Sequence, residues 1–84
     1  MQNKFLIELT VPEMELTYSL YIPLSKRIGD VINLLCKAIS EFTNGQFKYS
    51  ETTCLYNALT GEKYRINDIV YNTTIRNGDQ LVLL

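Results

Sequence analysis

The side chains that most often carry enzymatic chemistry are sparse in this sequence. It contains no histidine, which removes every nucleophile that relies on a histidine base and the common zinc sites. Its cysteines, Cys36 and Cys54, lie outside any Cys-x-x-Cys spacing. The thiols therefore either act as small buried hydrophobic residues, the interpretation we favour, or serve redox or metal chemistry. We expect no metal and no cofactor.

The remaining candidates for acid and base chemistry show no grouping. A general base would have to be a carboxylate, a lysine, a tyrosine or a thiolate, and no two acidic residues have a spacing that suggests a shared pocket. Asp79 follows a turn glycine, where we expect its carboxylate to bond the backbone. The glycines lie far apart, so no phosphate-binding loop is indicated. The sequence predicts a non-enzyme with no catalytic residue.

Composition and charge are those of an ordinary globular protein. With 84 residues, 46% of them hydrophobic and 20% charged, we expect one domain spanning residues 1–84 around one core. The net charge is -1 without clustering of either sign, so we expect no nucleic-acid partner. No signal peptide is evident, and no apolar run approaches the ~18 to 20 residues that cross a bilayer. We expect a cytoplasmic protein without membrane insertion.

Two stretches near the start have the alternating pattern of half-buried strands. In residues 4–10, Phe5, Ile7 and Leu9 share one face. Residues 16–22 repeat the alternation, with an inward face formed by Leu16, Tyr18, Leu20 and Ile22. Pro12 cannot donate a ladder hydrogen bond and belongs in the connection, so the two strands form a hairpin.

The period then changes to that of an amphipathic helix of about four turns. The apolar stripe consists of Ile28, Val31, Ile32, Leu35, Ile39 and Phe42. Asp30 suits the positive end of the helix dipole, and Asn44-Gly45 supplies the left-handed residue that commonly ends a helix. Gly29 is a poor helix former, and close packing is the reason we expect for it.

Shorter elements follow. Strands are predicted at 54–57 and 63–65, with a helical turn in 66–71 capped by Asn67 or Asp68. Asn77-Gly78 turns the chain into a last strand, 80–84, which we place in the middle of the sheet. The predicted fold class is α+β: a mixed sheet of about five strands in the order β-β-α-β-β-β, with one helix packed across it.

This order and spacing resemble the ubiquitin-like β-grasp fold over the whole chain. The stretch "LYIPLSKRIGDVINLL" at 20–35 resembles the small YukD/EsaB-like proteins of bacterial type VII secretion systems, with a strand end, a proline and an Ile-x-x-Val-Ile helix start. The ending "IRNGDQLVLL" is similar to the same family's closing Ile-x-x-Gly-Asp-x-Leu-x-Leu-Leu pattern.

The resemblance implies a role by non-covalent binding. Conjugated relatives of ubiquitin end in a flexible Gly-Gly tail, whereas here Leu84 closes a predicted strand, so neither conjugation nor sulfur carriage is expected. The resemblance implies an accessory or regulatory protein whose partner is a protein, such as a type VII secretion component. Two alternatives remain: a ubiquitin-like interaction domain of an unrelated assembly, and an accessory subunit of an enzyme complex such as a multicomponent oxygenase.

A candidate binding surface follows from strand alternation. If Leu81 and Leu83 point into the core, Val82 and Leu84 face the opposite side of the sheet. Similarity to the hydrophobic patch of ubiquitin implies a protein-binding surface formed by Tyr56, Val82 and Leu84 together with Leu6. The alternative is that these are scattered exposed apolar residues, which are common in any globular protein.

Two further groups admit two interpretations each. Lys26 and Arg27 precede the helix, where positive charge is mildly unfavourable, and they either solvate a loop or contact a partner. Tyr49, Tyr64 and Tyr71 either cover the edge of the core or extend a contact surface.

Overall fold

The computed structural model of the chain describes residues 3–84. Four strands and one α-helix occur in the order β1 (Lys4–Val11), β2 (Leu16–Pro23), α1 (Ile28–Phe42), β3 (Leu55–Asn57) and β4 (Gln80–Leu83). Two short 3-10 turns lie at Pro12–Met14 and Val70–Asn72. The α+β class is confirmed, with one helix on a mixed sheet.

The last strand lies inside the sheet. Strand order is β2-β1-β4-β3, and β4 runs parallel to β1 and antiparallel to β3. Leu81 of β4 is opposite Leu9 of β1, and Leu83 is opposite Leu55 of β3. All four of these leucines are buried. The predicted central position of the final strand is therefore confirmed.

The first two strands form the expected hairpin. Val11 and Leu16 are the last paired residues, and Pro12 opens the 3-10 turn between them. Glu15 closes the turn with a positive φ of 54°, and its N–H donates to the Pro12 carbonyl at 3.1 Å. Leu16 stays 37% exposed because β2 is the edge strand and the core ends there.

The helix confirms the predicted stripe from Ile28 to Ile39 and the predicted helix end, but not the burial of Phe42. Its buried residues are Ile28, Val31, Ile32, Leu35, Cys36 and Ile39. Phe42 is 53% exposed, and its ring packs against Tyr18 of β2 at 5.2 Å between centroids. Asn44 has a left-handed φ of 54°, and the Gly45 N–H donates to the Ser40 carbonyl at 2.7 Å. This bond satisfies a carbonyl of the last helical turn.

The start of the helix is held by main-chain groups of a distant loop. The Ile28 N–H donates to the Asp68 carbonyl at 2.8 Å, and the Gly29 N–H donates to the Ile66 carbonyl at 2.9 Å. A Cβ at position 29 would lie 3.3 Å from that Ile66 oxygen. Close packing is thus the reason for Gly29, and two N–H groups that a helix start leaves without partners are satisfied.

The structure corrects two local predictions. Residues 63–65 form no strand, only an isolated bridge between Lys63 and Tyr56, so the sheet has four strands. The chain leaves the sheet there, and the carbonyl of the next residue, Ile66, accepts the hydrogen bond from the Gly29 N–H at the helix start. The predicted side-chain cap at Asn67 or Asp68 is wrong, since the 3-10 turn starts after Ile69 and has no side-chain cap bond.

Irregular segments complete the core. Phe47, Tyr64, Val70 and Ile75 lie outside the strands and the helix, yet all are buried. Among residues 3–84, no buried side-chain nitrogen or oxygen lacks a hydrogen-bond partner. The same residues include no helix of the length and apolarity needed to cross a bilayer.

Candidate protein-binding surface

The candidate surface lies on the outer face of the sheet, the side turned away from α1. Alternation along β4 buries Leu81 and Leu83 and turns Val82 and Leu84 outward. Val82 is half-buried because strands flank it on both sides, whereas Leu84 is 62% exposed. The side chains of β4 therefore point as predicted, with Val82 and Leu84 on the outer face.

Three of the predicted residues are neighbours on this face. Tyr56 of β3 is directly opposite Val82 of β4. Leu84 exchanges main-chain hydrogen bonds of 2.8 and 3.0 Å with Cys54, the residue before β3. Side chains directly opposite in a sheet lie within contact distance. We call Tyr56, Val82 and Leu84 the β4 patch.

Leu6 lies on the same face but apart from the β4 patch. Thr10 of β1 is opposite Val82, and Leu6 precedes Thr10 by four residues, which is about 13 Å along a strand. Glu8 lies between them on the outer face. Leu6, 37% exposed, is instead opposite Tyr21 of β2, 66% exposed. Sequence alternation identified the shared face, but not this interval of polar residues.

Two cations that the sequence pattern alone did not assign to the surface flank the β4 patch. Lys63 bridges to Tyr56, and the Tyr64 N–H donates to the Leu55 carbonyl at 3.0 Å. Because Tyr64 is buried, alternation turns Lys63 and Arg65 to the outer face. Both line an open cleft with Cys54 and are exposed. The alternating pattern Lys63-Tyr64-Arg65 was the signal that could have revealed them.

The two thiols have different surroundings. Cys36 is buried in the helix, and burial raises the pKa of its thiol to about 11, so the group stays protonated at neutral pH. Cys54 is half-buried, and its Sγ–H donates to the Thr52 carbonyl at 3.2 Å. Residues 3–84 hold no group of three metal-ligating side chains. Cys36 is therefore a packing residue at the centre of the fold, whereas Cys54 lies at its margin beside the exposed Lys63 and Arg65.

The side chains of Asp79, Arg27 and the tyrosines have mostly structural surroundings. The Asp79 carboxylate accepts a hydrogen bond from the Arg76 N–H at 2.9 Å, which confirms its expected bond to the backbone. The Arg27 guanidinium donates to the Asn67 carbonyl at 2.8 Å and so ties the helix start to the loop. Tyr64 belongs to the core, whereas Tyr49 and Tyr71 are exposed.

Comparison with known proteins places the fold. No protein-family profile matches the chain, and no curated protein matches it in sequence. Solved structures do match. A chain of the MycP5-free ESX-5 inner membrane complex superposes with a TM-score of 0.81 at 10% identity, covering 99% of this chain but 21% of that one.

Two smaller proteins match along nearly their whole length. A chain of the toluene 4-monooxygenase HD complex with 4-bromobenzoate has a TM-score of 0.73 at 8% identity, covering 95% of both chains. The ubiquitin of Caldiarchaeum subterraneum has a TM-score of 0.71 at 17% identity, covering 95% of this chain and 90% of that one. Identities this low establish the fold alone: the chain has the ubiquitin-like β-grasp fold.

Proposed function

We propose that this chain is a cytoplasmic, non-conjugated ubiquitin-like accessory or regulatory protein of a bacterial type VII secretion system. It acts as a single domain and binds a secretion component without covalent chemistry. The observation that carries the proposal is the β4 patch: three apolar side chains that adjoin on a sheet face not covered by the helix.

The composition of the surface supports protein binding. An aromatic ring and two aliphatic side chains form its centre, and the exposed Lys63 and Arg65 form one rim. Protein interfaces combine an apolar, aromatic-rich centre with a polar rim in this way. The two cations favour a partner segment that carries carboxylates beside apolar residues. Leu6 and Tyr21 offer a second, smaller contact on the same face.

Two observations favour the secretion context. The stretches at 20–35 and 75–84 resemble the YukD/EsaB-like proteins, and they form elements that define the fold, the helix start and the central strand. A domain of the ESX-5 complex chain has the same fold. Because this chain spans only 21% of that longer one, it corresponds to one domain within such an assembly.

The second candidate is an accessory subunit of a multicomponent oxygenase. The match to a chain of the toluene 4-monooxygenase complex favours it, since that chain is of nearly the same length. The two candidates differ in gene neighbourhood. Genes for a membrane ATPase and small helical secreted proteins support the first, and genes for catalytic oxygenase subunits support the second.

The decisive experiment is complementation of a deletion strain, with export of the secretion system's small helical substrates as the measurement. The wild-type gene restores export. Tyr56→Glu combined with Val82→Glu abolishes it, because two charges in the β4 patch oppose burial against a partner. The free energy of unfolding of this variant falls by about 1 to 3 kcal/mol, because both positions are half-buried and the two glutamates are directly opposite each other, and the domain stays folded.

A matched control uses an exposed leucine on the helix. Leu34→Glu, at a residue 51% exposed, also introduces a carboxylate but leaves the β4 patch intact, so export persists. Normal export in the deletion strain would contradict the secretion role. Unfolding of the double variant would instead show that Tyr56 and Val82 belong to the core and that the patch assignment is wrong.

A further inference from the structure

Strand β2 is an unusually open edge of the sheet. It has eight residues, Leu16–Pro23, and β1 covers it on one side only. The opposite edge of the sheet is covered. Residues 62–64 lie alongside β3, and their main chain forms hydrogen bonds with Leu55 and Asn57. Long edge strands are commonly protected by a charge, a proline or a bulge. β2 contains no charged residue and no break in its register, and its one proline, Pro23, is its last residue.

The hydrogen-bond pattern fixes which residues of β2 face outward. The Leu24 N–H donates to the Asn3 carbonyl at 3.1 Å, in the same register as the β1–β2 pairing. In an antiparallel pair, every second residue exchanges main-chain hydrogen bonds with the partner strand. Counting back from Leu24, the residues of β2 that bond β1 are therefore Ile22, Leu20, Tyr18 and Leu16. The outward N–H and C=O groups thus belong to Thr17, Ser19 and Tyr21. Pro23 also occupies an outward position, where its missing N–H removes no hydrogen bond to β1.

Charges are arranged with opposite signs at the two ends of this edge. Glu13 and Glu15 lie at the start of β2, in and beside the hairpin turn. At its end, Lys4 is opposite Pro23, and Lys26 follows in the loop. A strand that pairs antiparallel and has the same charges would set its acidic end against the basic end of β2. A second copy of this chain meets that condition, because a two-fold axis reverses the strand.

We propose that the chain forms a symmetric dimer in which the β2 edges of two copies pair antiparallel and join the two sheets. With the two-fold axis at Ser19, Ser19 pairs with Ser19 of the second copy, and Thr17 pairs with Tyr21 of the second copy. All three residues direct their main-chain groups outward, so the ladder forms without disturbing the β1–β2 hairpin. The dimer is independent of the secretion role and leaves the β4 patch exposed.

The side chains of the edge suit this register. On the helix side, the partly exposed Leu20 lies opposite Tyr18 of the second copy, and Leu16 lies opposite Ile22 of the second copy. A shallow apolar groove between β2 and α1, lined by Leu20, Leu34 and Ala38, borders these pairs. The dimer therefore covers apolar surface that the monomer leaves partly exposed.

Sedimentation equilibrium with charge variants tests the proposal. The wild-type chain should change from its 9.7 kDa monomer to twice that mass as concentration rises from micromolar to millimolar. The variant Thr17→Lys/Tyr21→Lys sets like charges opposite each other across the axis and should weaken dimerisation by roughly tenfold or more. The variant Thr17→Glu/Tyr21→Glu should do the same. An equimolar mixture of the two should dimerise again, because each lysine then faces a glutamate.

If the mixture dimerises, both variants are folded, since unfolded chains could not form the dimer. The recovery is then specific to the pairing of position 17 with position 21 of the second copy. As a measurement without substitutions, the wild-type amides of Thr17, Ser19 and Tyr21 should exchange more slowly with solvent as protein concentration rises. A wild-type chain that stays monomeric at millimolar concentration overturns the proposal. The β2 edge would then be a site for a strand of another protein. A mixture that does not associate overturns it as well.

Discussion

Cys36 shows how burial changes the chemistry of a single residue. Its thiol is enclosed by the helix and the sheet, and burial raises its pKa from 9.0 to about 11. The folded thiol therefore keeps its proton over a range in which the unfolded thiol has lost it. The stability contributed by this group is present below pH 9 and is lost as pH rises through about 11.

The raised pKa of Cys36 makes the free energy of unfolding depend measurably on pH. Between pH 9 and about 11, Cys36 should lower the free energy of unfolding, by up to about 1.4 kcal/mol per pH unit. Urea unfolding of the wild type and of Cys36→Ala across this range measures the effect. The alanine variant starts less stable but should lose stability less steeply, since every other titratable group is common to both proteins. Equal slopes would contradict the assigned pKa.

Single residues also mark where prediction from sequence succeeded. The absence of histidine and the spacing of Cys36 and Cys54 indicated thiols acting as hydrophobic residues, and Cys36 is indeed buried. Cys54 is only half-buried, because it precedes β3 at the margin of the sheet. Its main chain bonds that of the distant Leu84, and local sequence does not encode that contact.

At the scale of elements, the helix provides a matched pair of leucines. Leu35 is 4% exposed and Leu34 is 51% exposed, although they are adjacent in sequence. Leu35→Ala should cost about 2 to 5 kcal/mol of unfolding free energy because it leaves a cavity. Leu34→Ala should change it by about 0.5 kcal/mol or less. Chemical denaturation of both variants measures the difference, and equal effects would contradict the helix register.

The elements differ in how far local sequence determines them. The helix and the hairpin follow from periodic patterns, and their observed bounds agree with prediction to within about a residue. Residues 63–65 alternate as a strand should, yet only Lys63 is bridged. There, the main chain turns away from the sheet, and the Ile66 carbonyl bonds the Gly29 N–H at the helix start. Phe47 reaches the core from a segment without any period, so no pattern marked it, and Ile75 was marked only as the first residue of the closing Ile-x-x-Gly-Asp pattern.

The whole molecule depends on β4, which connects the two halves of the sheet. Leu83 is 1% exposed between β1 and β3, and its neighbour Leu84 is 62% exposed. We predict that Leu83→Ala lowers the free energy of unfolding by about 2 to 5 kcal/mol. Leu84→Ala should lower it by about 0.5 kcal/mol or less, since its main-chain bonds to Cys54 persist. Thermal unfolding of the two variants is the measurement, and a reversed order would show that the strand is shifted by one residue.

The candidate surface could be located from sequence only in part. Alternation around the buried Leu81 and Leu83 indicated the outward residues of β4, and the structure places Tyr56 beside them. The separation of Leu6 from this patch depends on the parallel register of β1 and β4. That register joins positions far apart in the chain, and a single sequence contains no signal for it.

The parallel neighbours β1 and β4 also determine how the molecule responds to mechanical tension. Because they run in the same direction side by side, a force that separates Lys4 from Leu83 slides the two strands along each other. Their hydrogen bonds are then loaded together in shear and do not open one after another. The domain should therefore resist pulling from its two ends until the whole ladder yields at once, so that any motor drawing the chain lengthwise would face a single high barrier.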